Sequence, residues 1–161
     1  MAKNVLDVCC GSRMFWFDRA NPNCVFVDKR REQHALTDMY SPGGTRSLVI
    51  EPDVVGDFTN LPFAANSFSV VVFDPPHLLK GGSSSWLVKK YGKLTEDWRD
   101  NIQRGFAECF RVLKREGTLI FKWNETDIPL SAILLLTSVK PLFGSRGGKA
   151  MKTHWVVFIK D

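Results

Sequence analysis

The segment Val70-Val71-Val72-Phe73-Asp74-Pro75-Pro76-His77 sets an acid and two prolines directly after an unbroken apolar run. A run of β-branched and aromatic residues without alternation is the pattern of a strand buried on both faces. Proline has no N–H to give to a central ladder, so the strand must stop there. Asp74 is thereby expected at the carboxyl edge of a buried parallel sheet, the edge at which open α/β sheets bind ligands. The carboxylate and the carbonyls of the rigid Pro75-Pro76 pair are all acceptors. Together they suit a group that donates two hydrogens, such as the exocyclic amine of a base.

Other polar residues fall at equivalent places. Short apolar strands are expected over residues 5–8, 25–27, 54–55, 69–73 and 118–123. Helices are expected over 12–19, from the cap at Thr95 to about residue 113, and over 130–136. The middle helix has acids in its first turn and apolar residues at Trp98, Ile102, Phe106, Phe110 and Leu113, which mark one buried face. Alternating β and α elements specify a mostly parallel sheet with helices on both faces. Two last strands, over 139–143 and 155–159, have no helix between them, so the final one is expected antiparallel.

In such a sheet the loops after the parallel strands open on one side. They carry Gly11, Ser12 and Arg13; Asp28; Asp57; Asp74 to His77; and Asn124 with Glu125. Gly11 permits a tight turn and close approach of a ligand. Asp28 lies 17 residues beyond Gly11, near the position from which an acid holds ribose hydroxyls in dinucleotide-binding folds. Asp57 could accept from an adenine amine with Phe58 beside the ring.

The chain of 161 residues is expected to be a single domain, 1–161, without a separate target-recognition domain. Residues 1–74 hold 7 Lys and Arg against 9 Asp and Glu, whereas residues 75–161 hold 15 against 8. The basic half favours a polyanion. The four cysteines form no C-x-x-C pair, and His34, His77 and His154 have no ligand spacing. No metal is therefore expected, and the thiols read as reduced. No signal peptide or apolar stretch long enough to span a bilayer is present, so a cytoplasmic location and no membrane partner are expected.

On these residues the whole chain resembles the class I S-adenosylmethionine-dependent methyltransferases. It is most similar to those that methylate adenine N6 or cytosine N4. Val5-Leu6-Asp7-Val8-Cys9-Cys10-Gly11-Ser12 resembles the first cofactor motif, Asp28 the ribose acid, and Gly56-Asp57-Phe58 the adenine-binding segment. Asp74-Pro75-Pro76-His77 resembles the catalytic motif that usually ends in Tyr, Phe or Trp. A group of small phage and prophage proteins with a Cys-Cys-Gly-Ser-Arg signature and Asp-Pro-Pro-His is similar as well.

The resemblance implies a Rossmann-like, seven-stranded sheet with an antiparallel last strand. It implies S-adenosylmethionine as cofactor, held by Asp7, Cys9, Gly11, Arg13, Asp28, Asp57, Phe58 and Asp74. Arg13 stands where a glycine is usual and could pair with the cofactor carboxylate or with Asp7. The implied reaction is methyl transfer to an amino nitrogen of a nucleic-acid base, DNA adenine being favoured over cytosine or RNA. Asp74, Pro75, Pro76 and His77 are the implied catalytic group, and the base must be flipped out or single-stranded. His77, with Phe73 or Trp123, would supply a stacking face.

Two segments flank this edge. Lys80-Gly81-Gly82-Ser83-Ser84-Ser85-Trp86, running on into Lys89, Lys90, Tyr91 and Lys93, has the composition of a mobile lid with cations for phosphates. Residues 144–152 bring Arg146, Lys149 and Lys152. Methylation at cytosine C5 is disfavoured, because Cys24 follows Asn23 and no cysteine lies near the fourth strand. Two other readings stay open: methylation of a protein glutamine amide, and a non-catalytic cofactor-binding module. Sequence specificity is expected to be low or supplied by a protein partner. Monomer and dimer are both compatible with the chain.

Overall fold

A computed structural model describes residues 3–145 and 150–161. In chain order the strands are β1 (Val5–Asp7), β2 (Cys24–Asp28), β3 (Glu32–Thr37), β4 (Thr45–Ile50), β5 (Val54–Val55), β6 (Phe68–Phe73), β7 (Leu113–Asn124), β8 (Phe143–Gly144) and β9 (Thr153–Ile159). The helices are α1 (Trp86–Tyr91), α2 (Trp98–Val112) and α3 (Leu130–Leu134). Seven strands make one sheet in the order β5-β2-β1-β6-β7-β9-β8.

The pairs β1–β2, β1–β6, β2–β5 and β6–β7 are parallel, while β9 runs antiparallel to β7 and to β8. This is the mostly parallel sheet with a reversed last strand that the sequence specifies. The chain moves outward from β1 to β2 and β5, then returns to the other side of β1 with β6 and β7. The loops after β1 and β6 therefore part company, and a crevice opens at their carboxyl ends. Register fixes what meets there: Asp7 pairs with Val72, so Asp74 emerges beside the loop that follows β1.

Leu6, Val71, Phe73, Leu119, Phe121 and Phe158 are fully buried across the strands. Helix α2 packs over β6 and β7. Its buried face is Trp98, Ile102, Gly105, Phe106, Cys109 and Val112. Cys109 takes the inward place expected for Phe110, which packs edge-on to Phe158 at 5.9 Å. The helix begins at Trp98 with Asp97 before it, so Thr95 lies outside it; Thr95 Oγ1 accepts a hydrogen bond from Asn101 Nδ2 at 2.9 Å.

Several expected elements differ. Residues 12–19 form turns, not a helix. Gly11 and Arg13 both have positive φ, and the Arg13 guanidinium donates to the carbonyls of Arg19 and Glu51 at 2.6 and 2.7 Å. The loop is wound around that side chain. Between β2 and β5 the chain makes an antiparallel hairpin, β3–β4, which the sequence pattern does not disclose. Within it only Leu36, Leu48 and Ile50 are buried. The penultimate strand shrinks to Phe143–Gly144, since Pro141 has no N–H for a ladder.

Gly105 sits in mid-helix because two rings occupy the space a side chain would need. A Cβ there would lie 2.6 Å from Phe73 Cζ and 2.7 Å from Phe58 Cδ2. Alanine gains up to about 1 kcal/mol of helix propensity, but overpacking costs about 1–3 kcal/mol. Phe73 is pinned between Phe106 and Phe121 and has little room to give. Gly105→Ala is expected to destabilise the protein by about 1–2 kcal/mol, read as a lower urea midpoint at unchanged slope. A midpoint equal to or above that of the parent would contradict this packing.

Candidate active site

Three carboxylates terminate three neighbouring strands: Asp28 on β2, Asp7 on β1, and Asp74 directly after β6. Their partners differ, and so do their properties.

Asp28 is buried at 6% exposure. Its Oδ2 accepts the Gly11 N–H at 2.9 Å, and its Oδ1 accepts Arg30 N–H and Nε at 2.9 and 3.3 Å. A carboxylate oxygen can accept two bonds, so Oδ2 keeps capacity for a ligand hydroxyl. Gly11 reaches Asp28 only because its φ of +49° is open to glycine. Arg30 also donates from Nη1 to the Lys89 carbonyl at 2.8 Å, which ties the β2 loop to α1.

Asp7 is fully buried. It accepts Trp16 Nε1–H at 2.8 Å and Cys9 N–H at 3.3 Å. Burial raises its pKa to about 7; the Trp16 bond opposes this, and the charges of Asp74 and Asp28 add to it. Arg13 does not pair with Asp7. It meets Asp53 at 3.3 Å and lies over the Phe26 ring at 3.8 Å.

Asp74 Oδ2 accepts a hydrogen bond from Lys122 Nζ at 2.7 Å. Oδ1 has no hydrogen-bond partner among the described residues. Burial raises the Asp74 pKa, and the Lys122 charge and hydrogen bond work against that rise. Lys122 itself lies 5.3 Å from the Phe15 ring and 5.6 Å from the Trp155 ring. Burial, helped by the Lys122 charge and opposed by Asp127, lowers the His77 pKa, so the ring is neutral near pH 7.

One cleft joins Asp28, Asp74 and His77. It is an open groove with a cavity volume of ≈ 150 Å³. Cys9, Gly11 and Ser12 form one wall, with Asp28 and Arg30 beside them. By strand order Gly56 and Phe58, after β5, lie toward one end of the lining, and Asp74, Pro75, Pro76 and His77, after β6, toward the other. Lys90, Tyr91, Gly92, Lys93, Leu94 and Thr95 complete it.

The structure thus gathers Cys9, Gly11, Asp28, Phe58, Asp74, Pro75, Pro76, His77 and Lys90 around one space. Others lie apart. Asp7 sits behind the wall and holds its loop through Trp16. Arg13 lines a second, polar cleft with Arg19, Arg31 and Asp53. The Asp57 carboxylate faces Thr59, accepting from its N–H at 2.9 Å and its hydroxyl at 2.8 Å. Trp123 and Phe73 are fully buried, and Trp123 donates to the Ile128 carbonyl at 2.9 Å. Neither offers a face to a base, which corrects the stacking role expected for them.

Lys80, Trp86 and Lys89 lie outside the cleft lining, as does exposed Lys152. Arg146 and Lys149 lie outside the described residues. The expected lid is partly a folded wall: α1 brings Lys90 between the rings of Trp86 and Tyr91, at 5.2 and 5.0 Å. Lys122 and Arg30 had no assigned role in the sequence. A lone lysine in the apolar strand Thr118-Leu119-Ile120-Phe121-Lys122-Trp123 was the signal for the first.

Burial holds all four thiols protonated, Cys24 up to about 12 and Cys9 and Cys109 well above the ordinary range, so none is poised as a nucleophile. Among the described residues no group of three His, Cys, Asp or Glu could hold a metal, and no helix is long and apolar enough to cross a membrane.

No protein-family model matches the sequence, and no curated protein matches it. Solved structures do match. A Pyrococcus horikoshii protein aligns with a TM-score of 0.60 at 15% identity, over 98% of this chain and 81% of its own. A TehB-like SAM-dependent methyltransferase from Corynebacterium glutamicum aligns at 0.57 and 14%, over 99% and 81%. Burkholderia thailandensis 1,6-didemethyltoxoflavin-N1-methyltransferase, with 1,6-didemethyltoxoflavin and S-adenosylhomocysteine bound, aligns at 0.53 and 12%, over 97% and 70%. The chain therefore has the Rossmann-like fold of class I methyltransferases.

Asp7 makes a pH dependence measurable. Its folded pKa is raised from 3.8 to about 7. The stability this contributes is full below the unfolded value and is lost as pH rises through the folded one. Asp74 acts in the same direction. Stability is expected to fall from pH 5 to pH 8, with a slope of at most about 1.4 kcal/mol per pH unit for one proton. Asp7→Asn should flatten that slope in urea titrations run across the range. An unchanged slope would show that Asp7 titrates normally.

Proposed function

We propose that the protein is an S-adenosylmethionine-dependent methyltransferase acting on an exocyclic amino nitrogen of a nucleic-acid base, with adenine N6 in DNA as the favoured target. One observation carries this reading. Asp74, with Oδ1 unpartnered among the described residues, opens with Pro75 and Pro76 into the same cleft as Asp28 and Gly11. The acceptor pair and the hydroxyl-binding acid thus face one space.

The residues fit the cofactor. Asp28 Oδ2 has capacity for a ribose hydroxyl, Gly11 leaves the backbone bare, and Phe58 with Gly56 offers an apolar end for the adenine. The acids at the strand ends suit a cation, and when bound the cofactor supplies a methyl group on a positively charged sulfonium. Arg13 takes no part in holding its carboxylate, since it is committed to Asp53 and two carbonyls.

The base amine is a weak nucleophile because its lone pair is delocalised into the ring. Asp74 Oδ1 and the Pro75 carbonyl would accept its two N–H bonds, favour the pyramidal nitrogen and hold it in line. Much of the rate gain would come from this positioning. The neutral His77 ring, 5.4 Å from Tyr91, lines the cleft where a base would enter and pairs aromatic surface with a hydrogen-bonding edge. Lys90 and Lys93 in the lining suit the phosphates of the flanking strand.

The test uses purified protein, labelled S-adenosylmethionine, and unmethylated DNA and RNA in parallel. Products are digested to nucleosides and resolved by mass spectrometry. Methylated adenosine or N4-methylcytidine should appear with the parent protein and fall by at least about 100-fold in Asp74→Ala, with cofactor binding retained. No incorporation into either polymer would overturn the nucleic-acid reading. Labelling of a protein glutamine in its place would assign the site to amide methylation, and cofactor binding without any transfer would assign a non-catalytic module.

A further inference from the structure

The assigned acceptor, Asp74, is not alone at the end of its strand. Lys122, one strand away on β7, points its ammonium at Oδ2 from 2.7 Å, and both side chains are only 20% exposed. Strand register dictates the encounter. Phe73 pairs with Phe121, so the next residues on each strand, Asp74 and Lys122, are also neighbours. The ammonium is confined on further sides by the rings of Phe15 and Trp155, at 5.3 and 5.6 Å. Those rings meet edge to face at 5.4 Å, so the cage is itself braced. A lysine this enclosed is fixed in place, unlike one on a free surface.

We infer that Lys122 is a positioning residue: it favours the ionised Asp74 carboxylate and engages Oδ2, so that Oδ1 is left as the acceptor for the substrate amine. The inference rests on the reading of Asp74 given above and extends it to a residue on another strand.

The need for such a partner follows from what else faces Asp74. Asp7 approaches from the end of β1 and is acidic, and Cys9 follows it as a protonated thiol. His77, in the same loop as Asp74, is neutral near pH 7. Arg30, Lys90 and Lys93 line the cleft but make no ion pair with Asp74. Among the described residues Lys122 is therefore the one cation in direct contact with that carboxylate. Without it, burial would favour the protonated acid, whose neutral oxygen is a weaker acceptor for the amine hydrogen assigned to Asp74. Burial lowers the pKa of His77, and the same ammonium adds to that, so one charge acts on both polar groups.

The experiment follows the carboxyl carbon of Asp74 by NMR across a pH titration, with aspartate labelled and the signal assigned by its loss in Asp74→Asn. It compares the parent, Lys122→Met and Lys122→Arg, each checked for a cooperative thermal transition. Lys122→Met should raise the Asp74 midpoint by about one pH unit or more, the shift an adjacent cation commonly exerts; Lys122→Arg should restore most of it. In the methylation assay the acid limb of kcat/KM should move up by the same amount in Lys122→Met. If Lys122→Met does not fold, Lys122→Gln replaces it. Equal midpoints in the parent and the neutral variant would overturn the inference. A shifted midpoint in a protein with no methyl transfer would uphold the Lys122–Asp74 coupling and reject the proposed function instead.

Discussion

Three carboxylates crowd the ends of three adjacent strands, and the fold must accommodate their charge in a largely buried place. Burial of an ion without compensation is costly, so each acid needs a partner or must give up its charge. Asp28 is met by Arg30 and the Gly11 N–H, and Asp74 by Lys122. Asp7 has only the neutral donors Trp16 and Cys9, and its pKa rises to about 7. Much of the local architecture follows from these pairings. The loop after β1 folds back over Asp7 through Trp16, Arg30 bridges β2 to α1, and Lys122 interrupts the apolar run Leu119 to Trp123 of β7.

The same arrangement divides the cleft. On the β2 side lie an acid with spare acceptor capacity, a bare glycine backbone and an apolar end at Phe58. On the β6 side lie Asp74, the two prolines and His77. The rest of the lining brings lysines and Tyr91. Taken together, these features support a ligand with hydroxyls and a positive centre on one side and an amine donor on the other, with phosphates near the mouth. This is the physical content of the proposed reaction. The similarity to solved structures, at 12–15% identity, reaches only the fold.

Much of the fold was legible in the sequence because parallel strands buried on both faces leave unmistakable apolar runs. Val70 to Phe73 and Thr118 to Trp123 are such runs, and the prolines after Asp74 mark where one ends. The hairpin β3–β4 was not legible: Glu32, Gln33, His34 and Thr37 carry no alternating apolar face, and only Leu36 is fully inward on β3. Helix α1 was hidden by the glycines and serines before it. Residues 12–19 invite a helix by spacing, yet Arg13 turns left-handed because its guanidinium finds two carbonyls across the loop. Within the site, residue types at strand ends located Asp28, Asp74 and His77. Contacts between strands, such as Lys122 with Asp74, depend on register, which no local pattern in one strand discloses.

The central claim is that this cleft binds S-adenosylmethionine with Asp28 on its ribose. Calorimetric titration of S-adenosylhomocysteine into the parent protein and into Asp28→Ala tests it most directly. The account predicts one site in the parent and a loss of affinity of at least about tenfold in the variant, as expected for removal of a charged hydrogen bond. No heat of binding in the parent, or equal affinity in the variant, would contradict it.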